Sequence, residues 1–157
     1  MRTTTIRKPF SRALYNKADG KAKEIMRTYL QLQGHKLKED EEKYYCDIEG
    51  EDGHGWEVEI KYSWKGEWPI SWMDVRIPHR KKRLIDKKGK ENITFYVLNS
   101  MCDQAWEITG DVVSGSEVTE VPNKFVPKGE LFYSILVSKA KKIFLTREKE
   151  CVSVRED

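Results

Sequence analysis

Asp47, Glu59 and Lys61 are the residues whose types and spacing have the most chemistry to offer. Acid-x-Lys triplets come cheaply in a chain with 35% charged residues, and four occur: Asp19-Gly20-Lys21, Glu41-Glu42-Lys43, Glu59-Ile60-Lys61 and Asp86-Lys87-Lys88. Only Glu59-Ile60-Lys61 sits in an alternating apolar run. There Trp56, Val58, Ile60, Tyr62 and Trp64 share one face, and Glu57, Glu59, Lys61 and Ser63 share the other. A period of two puts Glu59 and Lys61 side by side, with Ile60 in the core. Asp47 ends the preceding strand across a short hairpin, so the two carboxylates can come close enough to share an ion. Asp47, Glu59 and the backbone carbonyl of Ile60 offer oxygen ligands suited to Mg²⁺, with Mn²⁺ as a substitute. Such an ion polarises a phosphoryl oxygen and lowers the pKa of a bound water. Lys61 then orients that water or stabilises the developing negative charge, a task for a compact cation. This is the chemistry of phosphodiester hydrolysis. Glu57, on the same face, is a candidate third acid. The plainer reading makes Glu59 and Lys61 a same-face salt bridge on a solvated strand and Asp47 a turn-initiating residue before Gly50.

Charge is distributed in blocks. Residues 1–38 carry ten Lys/Arg and two acids, residues 39–59 ten acids and one Lys, and residues 76–90 eight Lys/Arg and one Asp. Basic surface meets phosphates, and carboxylates hold the cation that cuts them. Arg76, Arg80, Lys81, Lys82, Arg83 and Lys87 are the candidate DNA clamp, the alternative being an exposed helix face. Trp64, Trp68 and Trp72 lie between the acidic strand and this stretch. They either stack on bases or pack a core. His35, His54 and His79 show no paired metal spacing, and no CxxC pair joins Cys46, Cys102 and Cys151, so a zinc site is not indicated.

The elements that must position these residues follow from pattern. The chain has 157 residues, a length suited to one domain with its own core. The apolar stripe of Ala22, Ile25, Met26, Tyr29, Leu30 and Leu32 predicts a helix over 16–33, closed by Gly34. Strands are expected at 44–48, 56–64, 94–98, 105–108 and 131–137, with a glycine-rich turn at 50–55, a short basic helix at 79–88, turns over 110–130 and a short helix from Lys139. This order suggests an α/β (α+β) fold, a mixed sheet flanked by helices. Residues 1–10 read as a basic N-terminal arm, 11–113 as the catalytic core and 114–157 as a β-rich C-terminal extension. No run approaches the roughly 18 apolar residues of a membrane span, and no apolar stretch follows the basic N-terminus as in a secretory signal. Together with unpaired thiols this predicts a cytoplasmic, intracellular protein.

These residues resemble the PD-(D/E)XK nuclease superfamily, the restriction-endonuclease-like and Holliday-junction-resolvase-like proteins. The resemblance runs from about Gly20 to Val113. Gly20-Lys21-Ala22-Lys23-Glu24, Leu30 and Gly34-His35 look like the family's first helix. Asp47-Ile48 is similar to its strand-end aspartate, and Glu59-Ile60-Lys61 to its signature triplet. Phe95-Tyr96-Val97-Leu98-Asn99 with Ala105-Trp106 looks like the later core strand and its neighbour. Cys46 stands where the family often has proline. The resemblance implies a restriction-endonuclease-like core and a Mg²⁺-dependent endodeoxyribonuclease. Asp47, Glu59 and Glu24 would bind metal and Lys61 would assist the water, on double-stranded or branched DNA. It also implies a homodimer; a viral or mobile-element origin is a separate expectation that goes with the intracellular reading. Two other readings remain: a nucleic-acid-binding module without catalysis, and a viral assembly or interaction protein whose charge blocks pair between subunits.

Overall fold

The computed structural model describes residues 12–39, 46–122 and 129–145, with side chains from residue 20 onward. The expected arm at 1–10, Tyr44 and Tyr45 of the first expected strand, and Cys151 lie outside the described residues. Helix α1 spans Arg12–Leu32. It buries Ala22, Met26 and Leu30, one residue per turn, with Ile25 and Tyr29 packed at the margin. It ends as its sequence predicts. Gly34 adopts φ 99°, the His35 N–H donates to the Leu30 carbonyl and the Gly34 N–H to that of Gln31. This paired closure satisfies the last carbonyls and needs a residue at ease with positive φ.

Strands β1 (Ile48–Glu49) and β2 (Gly55–Ile60) form an antiparallel hairpin through the glycine turn, in which Gly53 takes φ 92°. Strand β3 (Asp74–Pro78) leads through a single 3₁₀ turn, His79–Lys81, into α2 (Lys82–Lys88). Strands β4 (Ile93–Leu98) and β5 (Gln104–Thr109) follow, then the short α3 (Gly110–Ser114). Next come β6 (Glu117–Val121), β7 (Glu130–Leu136) and β8 (Lys141–Phe144). One sheet has the order β1-β2-β4-β5-β8, and a second has the order β3-β7-β6. Among the described strands only β2 and β4 pair in parallel, joined by a crossover through β3 and α2. The fold is therefore mixed α+β, as expected, but the single sheet of the sequence reading is two sheets.

The two sheets enclose one core, of Trp64, Val75, Ile77, Leu84, Phe95, Val97, Trp106, Ile108, Tyr133, Ile135 and their neighbours. Helix α1 and the other face of the large sheet enclose a second, which holds Met26, Leu30, Trp56, Val58, Tyr96 and Leu98. Strand β2 stops at Ile60, four residues short of the expected end. Its continuation is a turn closed by the Trp64 N–H on the Lys61 carbonyl. Trp64 thereby crosses from the helix side, where alternation would place it, into the core between the sheets, while Tyr62 stays exposed. Strands β6 and β8 replace the turns expected over 110–130 and the helix expected from Lys139. Ser138 instead lies in a 3₁₀ turn, Val137–Lys139. No helix among the described residues is long and apolar enough to cross a membrane.

Trp64 has no solvent exposure, whereas Ile70 is 96% exposed. Trp64→Ala is expected to cost about 3–5 kcal/mol in urea denaturation, and Ile70→Ala less than about 0.5 kcal/mol.

Candidate active site

Strand β2 carries the acids, and it is covered on both faces. Val58 and Ile60 point toward α1, while Glu57 and Glu59 point toward the small sheet and the 3₁₀ turn at 79–81. The solvated face expected from alternation does not exist: Glu57 is 6% exposed. A carboxylate so placed needs partners, and Glu57 has two. Its Oε1 pairs with the Lys81 ammonium at 2.7 Å, and its Oε2 accepts the Asp47 backbone N–H at 2.8 Å. Glu57 is thus a tie between β2, the chain before β1 and the basic turn.

Asp47 is fixed in return. Its Oδ2 accepts the Val58 N–H at 2.8 Å. Val58 and Ile60 have the same parity in the strand, so their backbone groups face the same edge. The pairing of β1 reaches only to Ile48 opposite Trp56, and beyond that point no strand among the described residues pairs with this edge. The Ile60 carbonyl lies on it, because the bond between the Lys61 N–H and the Leu98 carbonyl runs on the opposite edge. A cleft of about 250 Å³ forms here, lined by Asp47, Val58, Glu59, Ile60, Tyr62, Arg80 and Lys81.

Glu59 differs from its neighbour. Burial holds its carboxyl above the ordinary glutamate range. Lys81 and Arg80 pull it back, and Glu57 and Glu130 push it further up. Among the described residues no hydrogen bond or ion pair reaches this carboxylate. Lys61 follows on the next residue but lines a neighbouring cleft, its Nζ 5.1 Å from the centre of the Trp72 ring. Burial and the Arg76 charge lower its pKa, against Asp74 and Glu59, which raise it.

The other candidates are scattered. Glu24 is exposed and does not line the cleft. It lies about 200° around α1 from the buried Ala22, at the helical 100° per residue. The i, i+4 packing of Ala22, Met26 and Leu30 turns it away from the sheet. Of the basic residues, Arg80 and Lys81 reach the cleft, Lys81 already paired. Lys82 pairs with Asp86 on the exposed side of α2, and Arg83 and Lys87 are also exposed there. Arg76 lines the neighbouring cleft beside Asp74. Among the described residues no group of three or more His, Cys, Asp and Glu is placed to hold a metal ion. The cleft offers two carboxylates and one carbonyl. Sequence reasoning missed the role of Glu57. Local spacing held no signal for it, because its partner Lys81 lies 24 residues away.

No family model, no curated protein and no solved structure matches the chain.

Two predictions follow from the two acids. Glu57→Gln leaves Lys81 without its counter-charge in a site where both side chains are largely buried, 7% and 17% exposed. It should cost about 3 kcal/mol in denaturant titrations. Glu59 behaves in the opposite sense. A carboxyl raised by folding binds more protons folded than unfolded, so stability falls as pH climbs from the ordinary glutamate range through the raised value. Between about pH 5 and about pH 8 in EDTA, Glu59→Gln should remove that fall and melt above wild type at the alkaline end; a lower melting point there would refute the assignment.

Proposed function

We propose that the chain is a metal-dependent endonuclease that hydrolyses DNA phosphodiesters with a metal-activated water. The observation that carries this reading is Glu59: a largely desolvated carboxylate with no hydrogen bond or ion pair among the described residues, in one cleft with Asp47 and the Ile60 edge. A buried charge that no protein cation pairs is costly, and a divalent cation is the partner that chemistry supplies. The donor set fits Mg²⁺, which keeps several waters and uses one or two carboxylates together with substrate phosphate. Asp47, held by the Val58 N–H, brings its carboxylate to the cleft; Glu59 and the Ile60 carbonyl complete the protein share. When bound, the ion would acidify a water and polarise the phosphoryl group.

The chain's own residues do the rest. Arg80, on the rim, meets the entering phosphate backbone. Lys81 adds positive potential without leaving Glu57. Lys61, its proton affinity lowered by burial and by Arg76, directly follows the last residue of β2 and would swing from the neighbouring cleft to steady the water or the charge that develops on the phosphoryl oxygens. Cutting both strands calls for two such sites, so a homodimer belongs to the proposal. Glu24, exposed on α1, is not part of it.

The experiment is cleavage of linear, circular and branched DNA in Mg²⁺, Mn²⁺ or EDTA. Cleavage should require metal and fall at least about a hundredfold in Lys61→Ala and in Asp47→Ala, with folding intact. Salt-sensitive DNA binding with no cleavage under any condition would favour the non-catalytic module, and no affinity for DNA at moderate salt would favour the assembly protein.

A further inference from the structure

A second cleft, of about 370 Å³, adjoins the first where β2 ends: Ile60 lines one and Lys61 the other. The second is lined by Lys61, Ser71, Trp72, Met73, Asp74 and Arg76. Its aromatic wall is built. Trp72 meets the Trp68 ring edge-on at 5.0 Å, and the Trp68 Nε1–H donates to the Trp72 carbonyl at 2.8 Å. Trp68 stands in turn against Trp64 and Trp106, at 5.0 and 5.5 Å, so the chain of rings is rooted in the core between the sheets. Lys61 is set against the Trp72 ring. Met73 is 65% exposed at the same place, an apolar side chain left in water. Arg76 touches Asp74 through Nε at 3.9 Å, and among the described residues no other ion pair or hydrogen bond takes its outer N–H groups, which can meet an anion.

A braced aromatic plane, a soft apolar side chain and two cations are what a nucleobase and its phosphate require. The volume falls within the range of small-ligand sites, about 300–1,000 Å³. The bases of a continuous duplex are stacked on one another and keep their faces from Trp72, whereas an unpaired nucleotide can offer one. We propose that this cleft binds an unpaired nucleotide beside the phosphodiester held at Asp47 and Glu59, its base on Trp72 and Met73 and its phosphate at Arg76. The inference rests on the nuclease reading and narrows its substrate to DNA with a flap, branch or single-stranded end next to the cut.

The test is a pair of DNA duplexes of one sequence, one fully paired and one with a flap that carries 2-aminopurine at its first unpaired position. Both are titrated by fluorescence anisotropy in Ca²⁺ to hold off cleavage. The wild type should prefer the flap by about tenfold, the scale of one stacked base, and should quench the 2-aminopurine. Trp72→Ala and Arg76→Ala should bring the flap-to-duplex ratio near one. Trp72→Phe, which keeps an aromatic face and covers the case in which the alanine variant does not fold, should retain most of the preference and the quenching. Equal wild-type affinities, or quenching that survives Trp72→Ala, would overturn the nucleotide cleft. If the duplex is still bound, and cleaved in Mg²⁺, the nuclease reading stands without it. If neither DNA is bound and none is cleaved, both readings fall together.

Discussion

Strand β2 is pinned between two cores, and the rest of the arrangement depends on that confinement. Its parallel pairing with β4 places Glu57 opposite Phe95 and Glu59 opposite Val97, on the face that meets the small sheet. Glu57 is sealed from water and Glu59 is only partly open to it, so charge or hydrogen bonds must answer the first fully and the second in part. Glu57 is answered from within the fold, by Lys81 and the Asp47 N–H. Those two bonds bring the basic turn at 79–81 and the chain before β1 to the same edge of the sheet. Glu59, two residues on, sits beyond the last described pairing of β1 and lines the cleft. One acid organises the site, and the other is presented by it.

The same logic separates strong from weak charges elsewhere. Glu49 is largely buried and takes Lys38 at 2.6 Å and Lys88 at 2.5 Å, which ties the loop after α1, β1 and the end of α2 together. Burial alone would raise its pKa, but those two lysines outweigh burial and lower it. Burial raises the Glu59 carboxyl in the same way and no lysine reverses it. Two glutamates of one hairpin thus titrate in opposite directions, because one has hydrogen-bonded cations and the other only distant ones. The tryptophans obey a similar division. Trp56 lies under α1 in contact with the rings of His35 and His54, whereas Trp64, Trp68, Trp72 and Trp106 form a separate chain of ring contacts on the other side of the sheet.

Much of this was legible in the sequence, where local pattern and tertiary role agree. The i, i+4 stripe gave α1 its buried face, glycines marked the hairpin, and alternation placed Glu57 and Glu59 together away from Val58 and Ile60. Where pattern and role part, the sequence misled. Alternation continues through Tyr62 and Trp64, but the chain turns at Lys61, and only the finished fold supplies the core that receives Trp64. Strand β6 alternates weakly and is largely exposed, and β8 is only four residues long, so neither carries a period to detect. Glu24 matched a motif by spacing, yet spacing does not say which way a helix faces. The buried acid pairing of Glu57 was unreadable for a similar reason: its partner, Lys81, lies 24 residues away and is one lysine of many.

The central claim is that Asp47 and Glu59 share a divalent cation. Mn²⁺ binding followed by electron paramagnetic resonance in the absence of DNA addresses it most directly. One Mn²⁺ per chain is expected, competed by Mg²⁺ and lost in both Asp47→Asn and Glu59→Gln while circular dichroism stays native. No bound Mn²⁺, or binding that both variants keep, would contradict it.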